Sequence, residues 1–338
     1  MEKIRIGVIC PSEIAHRRFM PAILECENAE YIGVASADAS EWSENEDTID
    51  SRIIENERKK AQSFKESYGG KVFESYEALI NCNEIDAVYL PLPPALHFKW
   101  AKRALEAGKH IFLEKPSTTC ASDTKELIAL AKDKGLAVHE NYMFAFHSQL
   151  DDIDEIIKSG KLGDVRLYRI AFGFPRRENN DFRYNKALGG GALLDCGGYT
   201  IKLACKLLGD SARVEYSHLN YIDDFEVDIY GSAALVNDDG VTAQVSFGME
   251  NSYKCDLEVW GSCASLLTGR ILTAPSGFIP TAVIKSNDGE EVITLSCDDT
   301  FKKSIKHFCS CIADENIRRK NYQDIVKQAE LVDVIKGE

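Results

Sequence analysis

Asp195 and Tyr199 lie four residues apart in the run Gly189-Gly190-Gly191-Ala192-Leu193-Leu194-Asp195-Cys196-Gly197-Gly198-Tyr199. On a helix that spacing puts a carboxylate and a phenol on one face. Leu193, Leu194, Ile201, Leu203, Ala204, Leu207 and Leu208 recur at helical spacing. They predict a helix running from the glycine run to Leu208, with Gly209 as its stop. Gly197 and Gly198 separate the two polar residues. A glycine inside a helix costs about 1 kcal/mol relative to alanine, so the pair suggests that something approaches the backbone closely there. Two readings stay open: a reaction site on a bare helical face, or a core helix softened by glycine with a satisfied polar pair. Lys115, in Glu114-Lys115-Pro116, is a second group with chemical potential. A residue ahead of proline is held extended. Its charge can polarise a carbonyl, or depress a tyrosine pKa from the usual value of about 10. The plain alternative is a surface lysine in a rigid turn.

Lys115 ends one strand of an alternating series. Strands are predicted at 3–9, 31–36, 72–73, 85–90, 110–113 and 137–139. Helices fall between them at 14–25, from Ile49 to Tyr68 after the acidic stretch 40–50, at 97–106, and from Ser122 to Gly135. Strands alternating with helices imply a doubly wound parallel sheet, placed at residues 1–145. The remainder, 146–338, reads as an α+β domain. It opens with a helix at 153–159 and a strand at 165–172, and the glycine-run helix follows. Short strand-like runs then extend from Val214 to Leu295. Asn237-Asp238-Asp239-Gly240 and Asn287-Asp288-Gly289 are hairpin signals among them, so an open, mostly antiparallel sheet is expected, with helices on one face. Phe301–Ala313 and Tyr322–Lys336 are closing helices.

Ligands of an open parallel sheet bind at the carboxyl ends of its strands. The first such end reads Gly7-Val8-Ile9-Cys10-Pro11-Ser12-Glu13-Ile14. A dinucleotide site calls for glycines here, and Gly7 is the one present. Cys10 and Ser12 are small enough to admit a phosphate to the helix start at Glu13 and Ile14, with the Ser12 hydroxyl as a donor. An ordinary strand-to-helix turn is the competing account. After the second strand, an acidic residue would hold ribose hydroxyls and an arginine a 2′-phosphate. Ser36 and Ala37 are neither, and Asp38 comes two residues late, so NAD and NADP both stay open. Pro91, Leu92 and Pro93 fix the chain at the next strand end. His97 opens the helix beyond and is expected to face solvent unless it contacts the cofactor. Glu114 and Lys115 complete the edge.

The chain has 338 residues, enough for two cores. Its formal net charge of −14 argues against a nucleic-acid or anionic-membrane surface. No apolar run approaches the roughly 20 residues that span a bilayer, and Met1–Ile9 is too short and charged for a signal peptide. The 11 cysteines are odd in number and lack zinc-site spacing. Reduced thiols, a cytoplasmic location and no metal are therefore expected.

Gly108-Lys109-His110-Ile111-Phe112-Leu113-Glu114-Lys115-Pro116 resembles the GKHVxxEKP signature of the glucose–fructose oxidoreductase / inositol dehydrogenase (Gfo/Idh/MocA) family. Leu188 to Tyr199 resembles that family's LGGGxLxDxGxY signature. Pro91 through His97, Leu162-Gly163-Asp164-Val165 and His307-Phe308 are similar to further family stretches, so the likeness spans the chain. It implies a Rossmann dinucleotide-binding domain, an α/β substrate and oligomerisation domain, and oxidation or reduction of a sugar, nucleotide-sugar or related polyol by hydride exchange with NAD or NADP. It implies Tyr199 as the acid/base, Lys115 stabilising the phenolate, Asp195 orienting the substrate or Lys115, and Arg183 and Tyr184 as contacts to the sugar or its phosphate. A homodimer or homotetramer is implied as well. The tyrosine at 199, where many members carry histidine, and Asp181-Phe182-Arg183-Tyr184 resemble the sugar-nucleotide ketoreductase branch. Dihydrodiol or inositol dehydrogenation is an alternative. The family carries glycine where Cys10 and Ser12 stand, which favours another alternative, a ligand-sensing homologue with impaired catalysis.

Overall fold

The computed structural model describes residues 2–42 and 51–337. The acidic stretch expected to precede the long helix, and that helix's expected start at Ile49, fall largely outside the described residues. The chain forms two compact units: Met1–Thr118 with Ser122–Asn141 and Phe301–Val326, and Thr119–Ala121 with Tyr142–Thr300 and Lys327–Glu338.

In the first unit, β1 (Ile4–Ile9) runs through a π-turn at Ala15–Phe19 into α1 (Met20–Leu24) and β2 (Ala29–Ala35). There follow α2 (Ala39–Trp42), α3 (Ser51–Tyr68), β3 (Lys71–Phe73), α4 (Tyr76–Ile80), β4 (Ala87–Leu90), α5 (Pro94–Glu106), β5 (His110–Glu114), α6 (Ala121–Lys134) and β6 (Val138–Asn141). The strands form one sheet in the order β3-β2-β1-β4-β5-β6, every pairing parallel. Ile6, Val8, Ile9 and all of β4 are buried, as strands covered by helices on both faces must be. The helix expected from His97 begins at Pro94, because proline suits a first helical turn whose N–H groups lack acceptors.

The second unit contains α7 (Gln149–Lys158), β7 (Val165–Gly173), a π-turn at Leu193–Gly197 and α8 (Gly198–Leu208). The strands β8 (Arg213–Tyr221), β9 (Asp228–Val236), β10 (Thr242–Gly248), β11 (Lys254–Gly261), β12 (Ala264–Gly269), β13 (Thr281–Ser286) and β14 (Gly289–Thr294) follow. Their sheet has the order β14-β13-β12-β11-β7-β10-β9-β8, with β7 and β10 parallel and the other pairs antiparallel. Both hairpin signals fall at turns, Asn237 to Gly240 between β9 and β10 and Asn287 to Gly289 between β13 and β14. One sheet face packs against α8: Ile201, Leu203 and Ala204 share a core with Val245, Phe247 and Leu257.

Two expectations are corrected. The helix of the glycine run, expected over 190–208, starts at Leu193, because Gly191 takes φ of 120° and cannot be helical. The closing helices also do not both belong to the second domain. Most of α9 (Thr300–Ala313) and the first part of α10 (Glu315–Lys336) join the first unit. The reason is apolar burial: Phe308 meets Phe112 of β5 edge-on at 5.4 Å, and Tyr322 and Ile325 enter that unit's core. Among the described residues no helix is long and apolar enough to cross a membrane.

Candidate active site

At the end of β1 the chain adopts the backbone expected of glycine without glycine. Cys10 has φ of 72°, in the left-handed region. Its thiol turns inward and donates to the buried Glu57 carboxylate, Sγ to Oε2 3.6 Å, so the side chain lies away from the mouth of the turn. Burial, with Glu57 beside it, pushes the Cys10 thiol well up, and it is no nucleophile. Ser12 Oγ accepts from the Ala15 N–H at 3.3 Å, capping the first turn. Glu13 and Ile14 stand in that turn, where main-chain N–H groups have no helical carbonyl behind them to bond. These N–H groups, over a turn whose one awkward side chain is folded inward, suit a pyrophosphate. Without glycine at 10 the turn still takes the left-handed backbone. Gly7 has a different role from the one expected: a Cβ there would press on Ile85 and Leu79, so it serves packing in the core.

At the end of β2, Ser36 and Ala37 are buried. Asp38 Oδ1 accepts from Ser40 Oγ at 2.7 Å and from the Glu41 N–H at 2.9 Å, so it caps α2. Glu41 is the unexpected residue here. Its buried carboxylate accepts from the N–H groups of Asp38, Tyr76 and Glu77 at 2.9–3.0 Å and so ties this strand end to the start of α4.

Pro91 and Leu92 are buried and Pro93 half-buried at the end of β4. His97 does not face solvent: it is fully buried, with Nδ1 2.8 Å from the Pro116 carbonyl and Nε2 2.9 Å from the Leu92 carbonyl. Burial lowers it to about 4, against the two carbonyls, which favour its charged form. With the ring neutral, one nitrogen donates and the other carries no proton, so His97 bonds one of these carbonyls and packs against the other between the β4 and β5 turns. Lys115 is half-buried in the second of these turns, and the Lys115–Pro116 peptide is cis.

Glu114, just before it, ends a polar chain that sequence reasoning missed. His139 Nε2 lies 2.8 Å from Ser304 Oγ, Ser304 donates to Asn141 Oδ1 at 2.8 Å, and Asn141 Nδ2 donates to Glu114 Oε1 at 2.7 Å. Since the single Ser304 proton goes to Asn141, His139 must be the donor to Ser304. Tyr89 adds a 2.7 Å hydrogen bond to the same carboxylate oxygen. Burial raises Glu114, while Asn141 and Tyr89 oppose that rise and favour the carboxylate. Ser304 sits about 160 residues from its partners in sequence, so no local pattern reveals it.

In the second unit the structure brings Asp195 and Arg183 together, Nε to Oδ2 2.8 Å. Arg183 also donates to Asp181 at 3.1 Å. Burial works against the Arg183 charge, and the two carboxylates outweigh it, raising its pKa. Arg183 is therefore a counter-ion to Asp195 rather than a group presented to a sugar phosphate. Tyr184 is corrected likewise: it is buried, stacked on Phe225 at 4.6 Å, and its hydroxyl accepts from the Arg177 N–H at 3.1 Å.

Tyr199 opens α8 inside a ring cage. Tyr142 lies edge-on at 5.3 Å, Phe172 edge-on at 5.4 Å and Phe144 tilted at 5.8 Å, and the hydroxyl is 3.8 Å from Met143 Sδ. The cage comes from the run Tyr142-Met143-Phe144, an aromatic cluster just past a strand end, which is a readable signal. It also explains Gly197 and Gly198. A Cβ at Gly197 would lie 3.2 Å from Phe247, and one at Gly198 would overlap the Tyr142 hydroxyl. The close approach expected there is made by the protein's own rings, not by cofactor or sugar.

Residues 5–142 match the oxidoreductase family with an NAD-binding Rossmann fold, and residues 151–267 match the GFO/IDH/MocA C-terminal domain. The chain belongs to the Gfo/Idh/MocA family of oxidoreductases, whose dinucleotide site the β1 turn fits. It is 36% identical over 333 residues to a dTDP-3,4-didehydro-2,6-dideoxy-alpha-D-glucose 3-reductase of Actinomadura kijaniata, covering 98% of this chain and 95% of that one. It is 30% identical over 269 residues to a D-xylose 1-dehydrogenase (NADP(+)) of Haloferax volcanii, covering 78% and 81%. Among solved structures, a 3-ketoreductase from Actinomadura kijaniata in complex with NADP and TDP-benzene superposes with a TM-score of 0.90 at 35% identity, covering 99% and 98%.

Proposed function

We propose that this enzyme reduces a keto group on a sugar carried by a nucleoside diphosphate, with Tyr199 as the proton donor. The observation that carries the reading is the setting of Tyr199: a phenol held by three aromatic rings, one turn beyond a carboxylate that Arg183 fixes. The full-length likeness to the dTDP-sugar 3-reductase supports the substrate class.

The dinucleotide supplies the hydride when bound. Main-chain N–H groups at Glu13 and Ile14 would hold its phosphates, and His97, buried between the Leu92 and Pro116 carbonyls, keeps the β4 and β5 turns in place. Tyr199 protonates the carbonyl oxygen in reduction and takes that proton back in oxidation. Lys115 favours the phenolate left behind. Asp195, immobilised by Arg183, orients a substrate hydroxyl. NADP(H) is the expected form: Asp38 Oδ1 is engaged as the cap of α2, and the similar 3-ketoreductase structure holds NADP. A cytoplasmic homo-oligomer fits the outer face of the second sheet, where Tyr230, Trp260 and Leu267 are exposed.

Tyr199→Phe and Lys115→Ala are each expected to lower kcat by about 10²–10⁴-fold with the circular dichroism spectrum unchanged. Near-normal turnover of a dTDP-linked ketosugar by both variants refutes the assignment. Turnover of inositol or an aromatic dihydrodiol in place of the ketosugar would move the substrate class. A folded sample that quenches neither NADH nor NADPH fluorescence would make the chain a sensor.

A further inference from the structure

Asp228, the first residue of β9, is a buried carboxylate that no step above uses. Val227 and Ile229, its neighbours, are buried as well. An ionised group in such surroundings is costly unless it is strongly bonded. Its bond goes to the segment that carries Asp195 and Tyr199: Oδ2 accepts the main-chain N–H of Leu193, the first residue of the π-turn, at 2.7 Å. The chain leading into that turn is shaped around the same carboxylate. Gly191 has φ of 120°, and a Cβ there would overlap Asp228 Oδ1. Gly191 donates its N–H to the Arg183 carbonyl at 2.9 Å, and its own carbonyl accepts the Asp195 N–H at 3.0 Å. The carboxylate thus holds the N–H that begins the turn and lies against the glycine that bonds Asp195. The Leu193 N–H would otherwise be a buried donor without a helical acceptor.

We propose that Asp228 is a positioning residue for the reaction, holding Tyr199 and Asp195 in place by tying the first turn of their segment to β9. The proposal rests on the assignment of Tyr199 as the acid/base group. Displacing a reacting group by about 1 Å costs up to about 10²-fold in rate. Asp228→Ala is accordingly expected to lower kcat about tenfold or more, with KM for NADPH unchanged. Asp228→Asn keeps an oxygen for the Leu193 N–H and is expected to restore kcat to within about threefold of wild type at pH 8. In a Tyr199→Phe background, Asp228→Ala is expected to cost less than in wild type, what remains being the share that acts through Asp195.

Equal losses in the wild-type and Tyr199→Phe backgrounds overturn the proposal, as does an Asp228→Ala kcat within about twofold of wild type. Failure of the underlying reading looks different: Tyr199→Phe alone would then turn over normally. If Asp228→Ala does not fold, Asp228→Asn decides: kcat within about threefold of wild type supports the tie through the Leu193 N–H, and a folded asparagine variant that has lost kcat about tenfold or more overturns the proposal.

Discussion

Replacing Cys10 by alanine and by glycine separates two opposing contributions in the phosphate-binding turn. At φ of 72° a side chain with a Cβ costs roughly 1–2 kcal/mol. Against that, the thiol is buried and donates to Glu57. Cys10→Ala removes a methylene-sized group, about 0.8 kcal/mol of burial, and keeps the backbone cost. Cys10→Gly removes about the same again but releases the backbone cost. Glycine, which also loses about 0.5–1 kcal/mol of backbone entropy, is therefore expected to lie within about 1 kcal/mol of alanine at this position. Were the turn right-handed, alanine would lead by roughly 1.5 kcal/mol, from burial plus the backbone entropy of glycine.

Urea unfolding followed by tryptophan fluorescence measures the difference, since Trp100 is buried in the same unit. At an m-value of about 3 kcal/mol/M, the two outcomes differ by about 0.5 M in midpoint. An alanine variant more stable than the glycine variant by about 1.5 kcal/mol or more refutes the left-handed turn. The same pair tests the site. If the backbone already has the conformation a phosphate needs, Cys10→Gly binds NADPH within about threefold of wild type, well under 1 kcal/mol. A tenfold gain would mean that the Cys10 side chain obstructs the pocket.

Arg183→Ala leaves Asp195 and Asp181 facing each other's charge without their cation. Breaking a buried pair costs about 3–5 kcal/mol. Arg183 retains some solvent contact, so about 2–3 kcal/mol is expected, readable as a lower midpoint in urea, with Arg183→Lys recovering part of it. Equal stability of Arg183→Ala and wild type would show the pair to be ornamental. His110 sets part of the acid response. Its Nδ1 accepts the Ala137 N–H at 2.9 Å and so must be unprotonated, and burial with the Arg318 cation lowers it to about 4. The unfolded chain, near the ordinary 6.5, takes up the proton first. The contribution is therefore complete above about 6.5, is lost as pH falls toward about 4, and amounts to at most about 3 kcal/mol. His110→Gln should flatten the decline of stability over that window, and an unchanged slope would place the titration elsewhere.

The parallel sheet and the carboxyl-end turns were legible because they are local: each strand is a short apolar run stopped by a turn residue, and Lys115 follows its strand directly. Tyr199 and Asp195 were legible through their type and spacing. The reasons for the glycines around them were not. Gly197 and Gly198 read as a surface left bare for a ligand, but the atoms that need the space belong to Phe247 and Tyr142, one 50 residues downstream and the other 56 upstream. Arg183 read as a hand held out to a phosphate, because a sequence shows a charge and not its counter-charge. Asp195 and Asp181 take that charge up only once the turns at 182–188 fold back. Cys10 makes the same point from the other side. A missing glycine looks like a missing conformation, yet φ is set by the whole turn. Glu57, 47 residues away, gives the thiol somewhere to go. Residue type thus located the chemistry, whereas the direction each side chain takes was decided by partners far along the chain.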